Sequence, residues 1–165
     1  KGDFAYLGRW LNGFDVTPNL AGQVGVSTVI GFNNTAPGNR TEIYGGDLYL
    51  RWKPSESRGL KWQTEYFLRR RQDVGATPIE GGFYSQLIYQ FARRWETGVR
   101  YDKIGIPKDA FGREAASWDL AFLATEFFRV RGQYNLVETD GVAKKQHEVF
   151  LQLQFSMGPH GAHTF

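Results

Sequence analysis

The sequence predicts an all-β chain, an antiparallel transmembrane β-barrel of about nine strands, and three observations carry that expectation. Apolar and polar residues alternate with a period of two through most of the 165 residues. Aromatic residues gather near the ends of the apolar faces. Short and long connections alternate along the chain. The pattern is clearest in QHEVFLQLQF, residues 146–155, where Val149, Leu151, Leu153 and Phe155 share one parity and Glu148, Gln152 and Gln154 the other. That is a strand with one apolar and one polar face.

Composition fits this class and excludes others. Hydrophobic residues make up 41% and charged residues 22%, ordinary for a folded chain. Aromatics at 16% and 20 glycines favour strands joined by many turns. No apolar run approaches the roughly 18 residues of a membrane helix. A membrane strand needs only about ten alternating residues, so low mean hydropathy is expected of a barrel. There is no cysteine, and the formal charge is +3. The chain opens with KGDFAY, neither a Met nor an apolar signal segment, which points to a processed start or a piece of a longer protein.

Taken in order, AYLGRWLNGF (5–14) is the least regular strand. Tyr6, Gly8, Trp10 and Phe14 share a face with Asn12, while Leu7 and Leu11 share the other with Arg9, and neither is singled out as apolar. DVTPN is a turn. In LAGQVGVSTVIGF (20–32), Leu20, Val24, Val26, Thr28 and Ile30 alternate with Gln23, Gly25, Ser27 and Gly31, a polar face of small residues that leaves room behind the wall. After the NNTAPGN loop, residues 41–53 set Tyr44, Leu48, Leu50 and Trp52 against Asp47, Tyr49, Arg51 and Lys53.

PSESRG turns the chain into residues 60–71. Leu60, Trp62, Thr64, Tyr66 and Leu68 lie on one side, with Lys61, Gln63, Glu65, Arg69 and Arg71 on the other. Residues 82–91 place Phe83, Leu87, Tyr89 and Phe91 opposite Tyr84, Gln86 and Gln90. ARR is a tight connection into WETGVRYD, where Trp95, Thr97, Val99 and Tyr101 oppose Glu96, Arg100 and Asp102. Residues 116–124 carry Trp118, Leu120 and Phe122 opposite Asp119. FRVRGQYNL then sets Phe128, Val130, Tyr134 and Leu136 against Arg129, Arg131, Gln133 and Asn135. All six prolines, Pro18, Pro37, Pro54, Pro78, Pro107 and Pro159, are expected in connections or the tail, because a proline removes a ladder hydrogen bond.

Parity alone does not separate a soluble sheet, apolar side inward, from a membrane barrel, apolar side to lipid. Two levels of aromatics favour the barrel. Trp52, Trp62, Phe91, Trp95, Phe128 and Phe155 flank short turns, and Tyr44, Tyr66, Tyr101, Trp118 and Tyr134 lie toward long loops. Short turns then read as periplasmic and long loops as extracellular. With the last strand descending, the first descends too, so an upstream strand is missing. Residues 1–165 are therefore expected to be the C-terminal portion of a larger barrel and, alone, to leave it open.

LYLRWKP, YQFARRWETGVRYD, TEFFRVRGQY and EVFLQLQFSMGPHGAHTF resemble the C-terminal region of proteobacterial outer-membrane porin-like barrels, over nearly the whole chain. The resemblance implies a place in the outer membrane of Gram-negative bacteria, among lipid and lipopolysaccharide. It also implies insertion by the barrel assembly machinery, which reads an aromatic-terminated last strand. Phe165 fits that terminus, with Phe155 closing the spanning part.

The function expected on these grounds is a channel for passive diffusion of small hydrophilic solutes, with ion transport and an anion preference. The alternative is a non-conducting outer-membrane barrel that binds a partner or ligand through its long loops. The expected pore-lining residues are Arg51, Arg69, Arg71, Arg100, Arg129 and Arg131, with Asp47, Glu65, Glu96 and Asp119. Arginines recurring on one wall attract anions, whereas pairing with Glu65, Glu96, Asp119 and Glu148 instead braces the wall. His160 and His163 supply only two nitrogens, fewer than a closed zinc site, so no metal is assigned. Ser27, Ser85 and Ser117 lack a nucleophile-elbow context, and phosphate-loop and dinucleotide patterns are missing, so neither enzyme nor cofactor is expected. Arginines and aromatics segregate to opposite faces, unlike a nucleic-acid platform, so no nucleic acid is expected either.

Overall fold

Alternation has produced a single meander. The structure, a computed structural model, describes residues 4–107, 112–125 and 127–156. Nine antiparallel strands follow one another in chain order: β1 (Ala5–Thr17), β2 (Leu20–Phe32), β3 (Arg40–Ser55), β4 (Arg58–Arg71), β5 (Ile79–Ala92), β6 (Trp95–Ile104), β7 (Arg113–Leu123), β8 (Phe128–Thr139) and β9 (Gln146–Phe155). Each strand pairs only with its sequence neighbours, so β1 and β9 are free edges.

The register fixes the faces. Trp10, Val26, Gly46, Tyr66 and Phe83 follow one another across β1 to β5 on the apolar side, and Val99, Trp118, Tyr134 and Val149 continue it across β6 to β9. This assigns the strand that sequence left open: Trp10 belongs to the apolar side and Arg9 to the charged one. Cross-strand rings stiffen the apolar side, with Phe128 stacked on Phe155 at 4.5 Å and Trp95 tilted on Phe122 at 4.9 Å.

The long connections are tied to the sheet and to each other. The Asn33 amide donates to the Gln72 carbonyl at 3.0 Å, and the Gln72 side chain accepts from the Arg40 backbone at 2.8 Å, latching the β2–β3 loop to the β4–β5 loop. Gly38 (φ 85°) and Gly141 (φ 79°) supply the left-handed backbone that two of these reversals need. Pro54 departs from expectation, lying inside β3. It falls where the β3–β4 register shifts between Trp52 and Ser55, so no regular ladder bond is lost.

The sheet does not close. Among the described residues β1 and β9 have no pairing with each other, so the expected transmembrane barrel is overturned for this chain. An open edge in hydrocarbon leaves its N–H and C=O groups unsatisfied at several kcal/mol each. With no closed wall there is no lumen to conduct. The passive-diffusion channel and its anion preference fall for that reason, and so does the barrel scaffold offered as its alternative. The outer-membrane location and the likeness to porin-like barrels rested on the same closure and are corrected with it. That these strands alone leave an open sheet is what the topology shows.

Candidate functional site

The charged side of the sheet is its more enclosed side. Glu96 (6% exposed), Ala121 (0%) and Val137 (2%) are buried there, whereas Val99 and Trp118 on the apolar side of the interior strands β6 and β7 are 52% and 51% exposed. The register brings all ten residues expected to line a wall, Arg51, Arg69, Arg71, Arg100, Arg129, Arg131, Asp47, Glu65, Glu96 and Asp119, to this one face.

Small residues make the charges fit. Arg9 of β1 reaches over β2 to Asp47 of β3 at 2.9 Å. Gly25 lies between them, and a Cβ there would meet the Asp47 carboxylate at 2.6 Å. Glu96 of β6 crosses β7 to Arg129 of β8 at 2.9 Å, over the small Ala121. Asp119 overlies Gly98, whose added Cβ would lie 2.5 Å from a carboxylate oxygen. Each acid thus leans over a glycine or alanine of the neighbouring strand, which leaves room for its carboxylate.

Most of the arginines have partners. Arg100 pairs with Asp102 at 2.6 Å and lies 4.0 Å from the centre of the Tyr84 ring. The Asp102 hydrogen bond, opposed by partial burial, holds the Arg100 pKa above its ordinary value. Arg71 pairs with Asp73 at 2.8 Å, and Arg69 with Glu80. Burial pushes the Asp119 carboxyl up, against the pull of Arg131 and Arg129. Burial also raises the Tyr84 phenol, with Glu65 pushing the same way. The Nε atoms of Arg129 and Arg131 are buried without a hydrogen-bond partner.

Of the acids expected to brace the arginines, Glu96 pairs with Arg129 and Glu148 with Arg113 at 3.8 Å, while Asp119 feels the charges of Arg131 and Arg129 on the same face. Sequence reasoning missed Arg9, because its strand alternates poorly, and missed Asp73 and Glu80 as partners because both lay in a presumed loop. It also passed over Arg93 and Arg94 as a tight connection.

Two cavities open at the ends of the strands. Toward the long loops, a space of about 600 Å³ is lined by Phe67, Gly82, Tyr84 and Ile104 and by the paired Arg69 and Glu80. At the opposite end, a space of about 830 Å³ is lined by Arg93, Arg94, Arg129 and Gln154 among others.

The chain has no cysteine, and among the described residues there is no cluster of three or more metal-ligating side chains. His147 is engaged with the Tyr134 hydroxyl at 2.6 Å. His160, His163, Pro159 and Phe165 lie outside the described residues.

No family model matches the chain. An uncharacterized protein of Aquifex aeolicus (strain VF5) is 35% identical over 146 residues, covering 76% of this chain. The chain spans 31% of that relative's length. Among solved structures, the TodX monoaromatic hydrocarbon channel deltaS2 mutant superposes with a TM-score of 0.53 at 10% identity, over 94% of this chain and 62% of the other. At that identity the likeness is one of fold alone: a long antiparallel meander, here with both edges free.

Proposed function

We propose that the chain is a non-enzymatic segment of a longer all-β protein, whose charged face contacts small hydrophilic solutes while further polypeptide covers the apolar face and extends both edges. One observation carries this reading: enclosure is inverted relative to an ordinary soluble sheet. Glu96 is 6% exposed, while Val99 on the opposite face of the same strand is 52% exposed. Burying a single leucine or valine side chain contributes about 1.5–3 kcal/mol, so a face this apolar is a surface prepared for cover. The free edges point the same way, since an unpaired strand is a template for another. The match to a segment of the longer Aquifex protein supports the reading.

Solvent footprinting and amide exchange on the longest natural polypeptide test it. Val149, Leu151 and Leu153 should be protected from labelling in aqueous buffer, and the outward amides of β1 and β9 should exchange slowly. Protection that appears only when detergent micelles are added, with both edges still exchanging freely, would sink the proposal.

A further inference from the structure

We propose that the β5–β6 turn and the facing end of β8 form a binding site for a phosphate-type anion, a role independent of how the edges and the apolar face are covered. Arg93 and Arg94 form the turn itself, and both line the 830 Å³ cavity. The turn is held in place: the Arg94 carbonyl accepts from the Leu123 amide at 2.8 Å, and the Arg93 carbonyl accepts from the Gln90 side chain at 3.3 Å. The far wall carries Arg129, with Gln154 opposite it in the β8–β9 register.

The charge balance favours an anion. Arg129 spends one terminal nitrogen on Glu96 at 2.9 Å, while its Nε is buried without a hydrogen-bond partner. The Arg129 side chain is 27% exposed, so the outer edge of its guanidinium can meet an anion oxygen as well as Glu96. Arg93 and Arg94, both exposed, add two further positive charges to the lining of the same cavity, and Glu96 is already matched by Arg129. Planar guanidinium forks suit the several acceptor oxygens of a phosphate. The Gln154 carboxamide adds a neutral donor.

Phosphate of this kind reaches a protein either free, as inorganic phosphate or a soluble monoester, or as a lipid headgroup. Both sources are tested on the full natural polypeptide. Titration calorimetry with inorganic phosphate should show saturable binding that weakens as salt rises. Replacing either arginine, Arg93→Ala or Arg94→Ala, should weaken it by about tenfold, the size of one charge-assisted hydrogen bond. Both turn residues lie outside the strands, so unchanged circular dichroism should accompany the loss. In a second arm, vesicles of phosphatidylglycerol are compared with phosphatidylcholine alone. Retention on the first that free phosphate displaces assigns the headgroup as source, and calorimetric binding without retention assigns soluble phosphate. Absence of saturable binding in both arms, or binding unaffected by both Arg93→Ala and Arg94→Ala, would overturn the proposal.

Discussion

Removing the Glu96 carboxylate should destabilise the sheet more than any other single charge change on this face. Glu96 is among the few buried residues, and its carboxylate lies 2.9 Å from Arg129, whose side chain is 27% exposed. Breaking a fully buried pair costs about 3–5 kcal/mol, whereas an exposed pair is worth roughly 0.2–1 kcal/mol. The partial exposure of Arg129 places Glu96→Ala between these, at about 2–3 kcal/mol. The cost arises because the guanidinium is left in place with Nε already unpartnered and Arg131 two residues along the same face. Replacing both residues, Glu96→Ala with Arg129→Leu, should recover much of the loss, since the stranded charge goes with its partner. Urea unfolding of the full natural polypeptide reads this as a shift in midpoint at constant slope. A single variant within about 0.5 kcal/mol of the parent would show that the pair is not enclosed as described. Strictly additive single and double variants would show that the two groups do not interact.

The meander and its faces were legible in the sequence because period-two alternation determines which side chains share a face, whatever the sheet later does. Asp119 and Arg131, or Trp118 and Tyr134, reach their common sides by parity alone. Closure was not legible in the same way. It depends on whether the outer edges of β1 and β9 find partners, and no residue pattern within either strand encodes the other's position. The same parity also misled: an apolar face and a wet, charged face were taken to imply a closed wall around a lumen, when they fix only the two sides of a sheet. Which charges meet was partly legible. Pairs one strand apart, such as Arg69 and Glu80, follow once the register is known. Pairs that cross an intervening strand, Arg9 to Asp47 and Glu96 to Arg129, depend on the small residue beneath them. The small polar face of β2 was visible, but not what it made room for.

Three further outcomes follow from the geometry. Burial raises the Asp119 pKa in the folded state, so between the ordinary carboxylate range and that raised value the folded chain binds more protons than the unfolded one. Stability contributed by this group therefore falls as pH rises through that window, and Asp119→Asn should flatten that part of a stability–pH profile; an unchanged slope would count against the burial argument. Trp62→Phe removes the 2.9 Å bond from the indole N–H to Ser85 Oγ and should cost about 0.5–1.5 kcal/mol, with Ser85→Ala adding little to it in a double-variant cycle. The last concerns Gly25, where an added Cβ would lie 2.6 Å from the Asp47 carboxylate. The far end of Asp47 can swing away, so Gly25→Ala need not break the β2–β3 ladder, but the swing abandons Arg9 and with it the ion pair that ties the free edge strand across to β3. Overpacking of this kind costs about 1–3 kcal/mol, and the exposed ion pair itself contributes less than about 1 kcal/mol. The signature is therefore local: faster amide exchange in β1, near Arg9, with β5 to β8 unaffected. Asp47→Asn should reproduce the faster exchange without the packing cost, and β1 amides unchanged in both variants would show that the Arg9–Asp47 bridge does not hold the edge.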